Sequence, residues 1–295
     1  CDIKEEFKQN DLIPIALGGH TNIMDEDLLP DFIHNIKLTK FFGCKYIVTS
    51  VGDPHTKEEG IVSDEVVVEH INRFIPYLEE YDIDLVIELH GNHCTGKMLN
   101  NIVRLADSKR IRINYDTGNA IYYGNFNNDE LLKDIEEHID LINYFHIKDK
   151  LGEKNEWNFP AGGKGYVAFD DIFNILNKHN NNSLLCAEIE FTKEGPKDIE
   201  EINSSCKIAF TENNIDLVFY NEDMFRLVEL NREIPPELYK AVAEILLFVY
   251  NLRKNQKSGN ILKEENNILI QNINILRNSF LYTKGNFKFD IIAIC

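Results

Sequence analysis

The feature that most constrains this chain is a rhythm. Over roughly residues 1–200, short runs rich in Ile, Val, Leu and Tyr alternate with longer amphipathic stretches of helical period. The strand-like runs are 12–17, 45–51, 83–89, 111–115, 142–147 and 184–191, each flanked by Gly, Asp or Asn. Between them the spacing predicts helices over 27–42, 63–81, 97–106, 128–139 and 170–179. A unit of roughly 30 residues leaves room for a crossover helix, so the strands are expected to be parallel.

The ionisable residues follow the same rhythm. They sit where strands end: His20 after the first run, Asp53 and His55 after the second, Glu88 and His90 on the third. Asp116 and Asn119 follow the fourth, His146 and Asp149 the fifth, Glu188 and Glu190 the sixth. That edge carries the active site in a βα barrel and the ligand in an open doubly wound sheet. The first strand is not followed by G-x-G-x-x-G, so a dinucleotide site has no support.

Glu88, Asp116, His146 and Glu190 stand one βα unit apart. Three carboxylates and an imidazole form an oxygen-rich set that suits Mn²⁺, Mg²⁺ or Co²⁺ better than a structural zinc. Such an ion can hold vicinal oxygens of a hydroxy-ketone and stabilise an enediolate, while two glutamates move protons beside the carbonyl. The plainer reading is that strand-end carboxylates accept N–H groups from neighbouring loops.

Composition narrows the partners. Acidic residues outnumber basic ones 49 to 31, a net charge of -18, which repels phosphate backbones and anionic lipid. The best apolar run, 241–250, is too short for a membrane helix and contains Glu244. The first residues are acidic, without a signal-peptide core. Six scattered cysteines without a C-x-x-C pair point to reduced thiols in the cytoplasm.

Several strings resemble a known family: Ile87-Glu88-Leu89-His90-Gly91, Asn114-Tyr115-Asp116-Thr117-Gly118-Asn119, Phe145-His146-Ile147-Lys148-Asp149 and Glu188-Ile189-Glu190-Phe191. Together with the Gly-rich loop Asn158-Phe159-Pro160-Ala161-Gly162-Gly163-Lys164-Gly165-Tyr166-Val167, they resemble the xylose-isomerase-like TIM-barrel superfamily, in its sugar phosphate isomerase/epimerase group, over about 1–203. The resemblance implies a metal held by Glu88, Asp116, His146 and a late glutamate. Glu88 and the late glutamate would double as the acid–base pair. Glu188 and Glu190 share strand parity, and Glu190 is favoured as nearer the strand end. His20, His90, Asn119, Lys148, Gly163 and Gly165 would contact a sugar or sugar phosphate. Gly163 and Gly165 could cradle a phosphate through backbone N–H groups or form a plain turn. His90, His93 and Cys94 make a weaker zinc-loop candidate, and Trp157 is either a sugar platform or a loop anchor.

The expected fold is an incomplete (β/α)8 barrel of six strands with two exposed edges, the family's opening strand–helix–strand being absent, followed by a small α-rich appendage. Residues 204–254 hold a strand-like run at 215–220 and a helix that begins at Pro235, and 255–295 form a weakly assigned tail ending in a strand. The string Ile234-Pro235-Pro236-Glu237-Leu238-Tyr239-Lys240, within 214–252, resembles the cytoplasmic domain of flagellar type III export switch proteins, which lends a second expectation: a docking helix for an export apparatus. The tail faintly resembles the last strand of a small endonuclease family, without its acidic and lysine motifs. A chain that begins at Cys1 and ends on an apolar run reads as cut at both ends, and three partial resemblances read as a fusion. The expected activity is metal-dependent isomerisation or epimerisation, with a non-catalytic remnant as the alternative and self-association through exposed sheet edges.

Overall fold

The structure is a computed structural model that describes residues 7, 13–52, 62–188 and 190–192, together with the backbone of strands 217–220 and 292–294. Asp53, His55, the helix expected from Pro235 and most of the two expected C-terminal segments lie outside the described residues.

Six parallel strands appear where the alternation places them: β1 (Pro14–Gly18), β2 (Tyr46–Thr49), β3 (Asp84–Glu88), β4 (Ile111–Asp116), β5 (Ile142–Lys148) and β7 (Leu184–Glu188). They pair in chain order. A two-stranded antiparallel ribbon, β6 (Asn158–Phe159) with β8 (Phe191–Thr192), lies apart from this sheet. The expected edges are not bare. β10 (Ile292–Ile294) pairs with β1, and β9 (Leu217–Tyr220) pairs with β7, both parallel. Eight flat strands would hold their edges about 34 Å apart at a spacing of about 4.8 Å. β9 and β10 nevertheless approach each other, so the sheet curls toward a barrel. Among the described residues no ladder joins β9 to β10. The run at 215–220, assigned by sequence to a separate appendage, thus contributes a strand to the main sheet.

Among the described residues seven α-helices cover the outside: α1 (Leu29–Phe42), α2 (Asp64–Asn72), α3 (Ile75–Tyr81), α4 (Gly96–Ala106), α5 (Thr117–Tyr122), α6 (Asn128–His138) and α7 (Phe169–Lys178). The single helix expected over 63–81 is broken at Arg73 and Phe74. Pro76 stands in the first turn of α3, where its missing N–H is harmless; inside one long helix it would leave a carbonyl unbonded. α5 was not foreseen, because six residues are too few to show a period.

Side-chain parity sorts the interior. Leu85, Ile87, Ile113, Phe145, Ile147 and Leu185 turn outward and pack beneath the helices in one core. Ala16, Val48, Val86, Tyr144 and Cys186 turn the other way and form a second cluster with Phe7. Strands buried on both faces explain the near-continuous apolar runs in the sequence. The inward row continues one layer toward the strand ends as Glu88, Asp116, His146 and Glu188, so the apolar layer is the floor on which the polar site stands.

Candidate metal centre

Each polar side chain of this top layer comes from a different parallel strand, and register brings them level. Asp116 pairs with His146, His146 with Cys186, and Lys148 with Glu188. One ligand atom from each of Glu88, Asp116, His146 and Glu188 lies within 4.8 Å of all the others. His146 Nδ1 is 3.5 Å from Glu88 Oε1, 3.6 Å from Asp116 Oδ2 and 3.2 Å from Glu188 Oε2. Bonds of about 2.1 Å would set neighbouring ligands about 3.0–3.4 Å apart around one cation, so the spacing is close to what an ion requires.

The fourth residue of this cluster is Glu188, where the sequence reading favoured Glu190. Parity allowed both. β7 ends at Glu188, and Phe191 adopts φ 57°, which turns the chain into the ribbon with β6. Glu190 therefore lies beyond the strand, and its Oε2 pairs with Lys148 Nζ at 2.9 Å.

Two anchors hold the carboxylates. Asp116 is the N-cap of α5: one oxygen, Oδ1, accepts the Asn119 N–H at 2.7 Å. Its other oxygen turns into the cluster. Asn119 Nδ2 donates to Glu88 Oε1 at 3.1 Å and to the Leu89 carbonyl at 3.0 Å. Asn119 was expected to touch substrate; its side chain is instead buried and orients Glu88.

The donor set suits a divalent cation. Asp116 Oδ2 and Glu188 Oε2 are buried and accept no hydrogen bond. Their near neighbours are His146 Nδ1 and Lys148 Nζ at ion-pair distance. Buried carboxylate oxygens placed in this way fit a cation. The electrostatics agree. Burial is the largest influence on Glu88 and raises it, yet the facing His146 outweighs it and holds the carboxyl at about 2. Burial lowers His146, but Glu188 and Glu88 more than offset this and carry the imidazole well above its ordinary range.

Lys148 is buried among Glu190, Glu188 and Asp116, with Nζ 2.9, 3.2 and 3.6 Å from their oxygens and 4.6 Å from the centre of the Phe159 ring. Gly118 lets its stem pass, since a Cβ there would sit 2.7 Å from Lys148 Cγ. Phe159, Trp157 and Tyr122 form an aromatic group beside this lysine, with ring centres 5.2–5.9 Å apart. Trp157 is thus anchored in its loop. His90 lies on the same rim, its ring 4.8 Å from Tyr123; burial pulls it down to about 4. His20 is exposed beyond β1, within electrostatic range of His90. His90, His93 and Cys94 do not assemble into a ligand cluster among the described residues.

The Gly-rich loop has another role than a phosphate cradle. Asp149 Oδ2 accepts the Gly165 N–H at 2.6 Å, and Oδ1 accepts the N–H groups of Lys150 and Val167 at 2.8 and 3.2 Å. The N–H of Gly165 is consumed inside the protein. Gly163, at φ 80°, serves the turn. Sequence reasoning noted Asp149 as a strand-end residue but did not connect it to this loop. It also gave no role to Asn114 and Phe159, which stand within the family-like strings, or to Tyr122, which stands in none.

Parallel strands with helices outside, and buried carboxylates gathered at their C-terminal ends, define the class: a βα-barrel-type protein with a four-residue cluster that could hold a metal ion. Residues 2–207 match the family described as xylose isomerase-like TIM barrel, and the chain belongs to that family. It is 26% identical over 178 residues to an inosose dehydratase of Geobacillus kaustophilus (strain HTA426), covering 50% of this chain and 56% of that protein. The chain thus spans about half the length of this curated relative. A D-tagatose 3-epimerase-like protein aligns over 70% of this chain and 78% of its own, at 18% identity and a TM-score of 0.54. A 3-keto-D-glucoside 4-epimerase from E. coli aligns over 69% and 81%, at 18% identity and a TM-score of 0.53. An IolI protein with a bound zinc atom aligns over 65% and 73%, at 19% identity and a TM-score of 0.52. At these identities the structural likeness concerns the fold. The family match ends at residue 207, and these comparisons give no support to the export-switch resemblance over 214–252. Among the described residues no helix is long and apolar enough to cross a membrane.

Proposed function

We propose that this chain is a divalent-metal-dependent isomerase or epimerase acting on a sugar or sugar phosphate by proton transfer next to a carbonyl. The observation that carries the reading is the quartet Glu88, Asp116, His146 and Glu188, drawn from four strands and buried at the C-terminal edge of the sheet. These four would hold the ion, and Mn²⁺, Mg²⁺ or Co²⁺ fits three oxygen donors better than a thiophilic metal. When bound, the ion supplies Lewis acidity to the oxygens of a hydroxy-ketone.

The chain's own groups do the remaining work. Glu88 and Glu188 stand on β3 and β7, with β4 and β5 between them in the sheet. A substrate carbon held between them meets one carboxylate on each side, so one takes a proton and the other returns it on the opposite face. Lys148, cationic and buried, stands where a developing oxygen anion would be stabilised. The Phe159–Trp157–Tyr122 group offers an apolar wall for the C–H face of a sugar.

A second reading, elimination of water from a polyol ketone, begins with the same proton removal. It is favoured by the Lys148–Glu190 pair, a further proton-carrying group beside the quartet. One experiment separates the two. Ketoses, their phosphates and inososes are incubated with the metal-loaded protein in deuterium oxide and followed by mass spectrometry. Deuterium uptake at the carbon beside the carbonyl with no loss of mass supports epimerisation or isomerisation; loss of one water supports dehydration. Glu88→Gln should reduce either by about 10²–10⁴-fold. Neither exchange nor loss of water with any of these substrates in the loaded protein would refute both readings.

A further inference from the structure

We propose that Asn114 is a positioning residue for the cation site, its side-chain amide deciding which nitrogen of His146 offers a lone pair to the ion. This rests on the metal reading above and goes beyond its four ligands.

Asn114 lies on β4, one inward step below Asp116, and is fully buried. Its amide is 3.2 Å from His146 Nε2, the nitrogen that faces away from the carboxylates. The opposite nitrogen, Nδ1, faces Glu88, Asp116 and Glu188. Tyr144 packs its ring 5.7 Å from the imidazole, edge to face, so His146 is held from the floor of the site as well. The ring presents Nδ1 to the ion and Nε2 to Asn114.

Chemistry then fixes the proton. A neutral imidazole carries one proton on one of two nitrogens, and a metal takes the lone pair of the other. Coordination through Nδ1 requires the proton on Nε2, and a buried N–H requires an acceptor. Asn114 supplies one. Its Oδ1 is buried and accepts no hydrogen bond in the orientation in which Nδ2 meets His146. Half a turn of the amide exchanges the two atoms, which are nearly equal in size. Oδ1 then accepts from Nε2–H, both polar atoms at this contact are satisfied, and Nδ1 is left with its lone pair toward the carboxylates. An apolar residue at position 114 would take this acceptor from Nε2–H and disfavour the tautomer that leaves Nδ1 free for the ion.

The test needs no turnover. In the ¹⁵N-labelled full chain, a long-range proton–nitrogen correlation spectrum reports which nitrogen of each histidine carries the proton, and His146 is assigned by its absence in His146→Gln. With Zn²⁺ added, the expected result is a protonated Nε2 and a metal-shifted Nδ1. Calorimetric titration with Mn²⁺ supplies the second reading. Asn114→Leu should bind about 10–100-fold more weakly, the range for loss of a partner to a metal-ligating histidine. Asn114→Asp, which keeps an acceptor, should stay within a few-fold of the native protein. A Zn²⁺-bound His146 with its proton on Nδ1, or unchanged Mn²⁺ affinity in a folded Asn114→Leu, would overturn the proposal while leaving the metal reading intact. If Asn114→Leu does not fold, the spectrum of the unaltered chain decides alone. A native chain whose histidine signals ignore Zn²⁺ would remove both readings together.

Discussion

Asp134 shows how single residues hold this site in place from a distance. From α6 it accepts the N–H groups of Gly96 and Lys97 at 2.7 and 3.1 Å and the Tyr115 hydroxyl at 2.9 Å. A buried carboxylate thus satisfies the start of α4 and ties it to β4 at Tyr115, which stands between Asn114 and Asp116. Asp134→Ala strands these donors and should cost about 3 kcal/mol, read as a drop in thermal midpoint of the metal-free protein. Cys44 behaves in the opposite sense. Burial pushes its thiol up to about 12, so at pH 8 almost none is thiolate. Peptide mapping after brief alkylation at pH 8 should find Cys44 unmodified in the native state and modified in urea. The residue scale is also where sequence reading was least complete. Glu88, Asp116 and His146 were legible because each ends a strand. Glu188 and Glu190 were not separable, because alternation alone does not say where a strand stops; the left-handed turn at Phe191 does.

At the scale of elements, the loop after β5 is built around Asp149. Gly165 approaches so closely that an added Cβ would run into the Asp149 carboxylate and the Lys150 carbonyl. Gly165→Ala should therefore cost about 1–3 kcal/mol by overpacking, measurable by denaturant unfolding. The same contact bears on the open choice between an anion cradle and a plain turn. A run of three glycines around a lysine looks like an anion cradle, yet the acceptor for Gly165 is internal. Sequence shows which N–H groups a loop exposes to some partner, but not whether that partner is substrate or a neighbouring aspartate. Helices were legible wherever they ran for three turns or more. The break between α2 and α3 was readable in principle from Pro76, whereas α5 was short enough to be visible only through its cap, Asp116 to Asn119.

At the scale of the whole molecule, metal and fold should be linked. An ion bound at about 100 times its dissociation constant adds roughly 2.7 kcal/mol to the folded state. For a chain of this size the midpoint should rise by several degrees, at about 2–4 °C per kcal/mol. Asp116→Asn should remove that rise while still melting cooperatively, because an asparagine oxygen can cap α5 as the native Oδ1 does. A rise that survives in Asp116→Asn would place the ion elsewhere. Alternation of strand and helix was enough to foretell a barrel-type sheet and the edge on which its chemistry would gather. Strand-like runs at 215–220 and at the end of the tail were legible, but not that β9 and β10, of four and three residues, would pair with β7 and β1, because that pairing depends on partners far away in sequence.

That pairing carries a consequence in time. Pro14 lies opposite Ile292, so one seam of the sheet joins segments separated by nearly the whole chain. Every other ladder of the main sheet joins nearer neighbours and can zip locally. Closing so large a loop has a high entropic threshold and slows folding. During synthesis β1 would wait, its hydrogen-bonding edge unpaired, until the last strand emerges. A newly made chain therefore has a window in which β1 can be captured by another copy, and dilution or a holding chaperone should raise the yield of monomer far more than any change in the metal site.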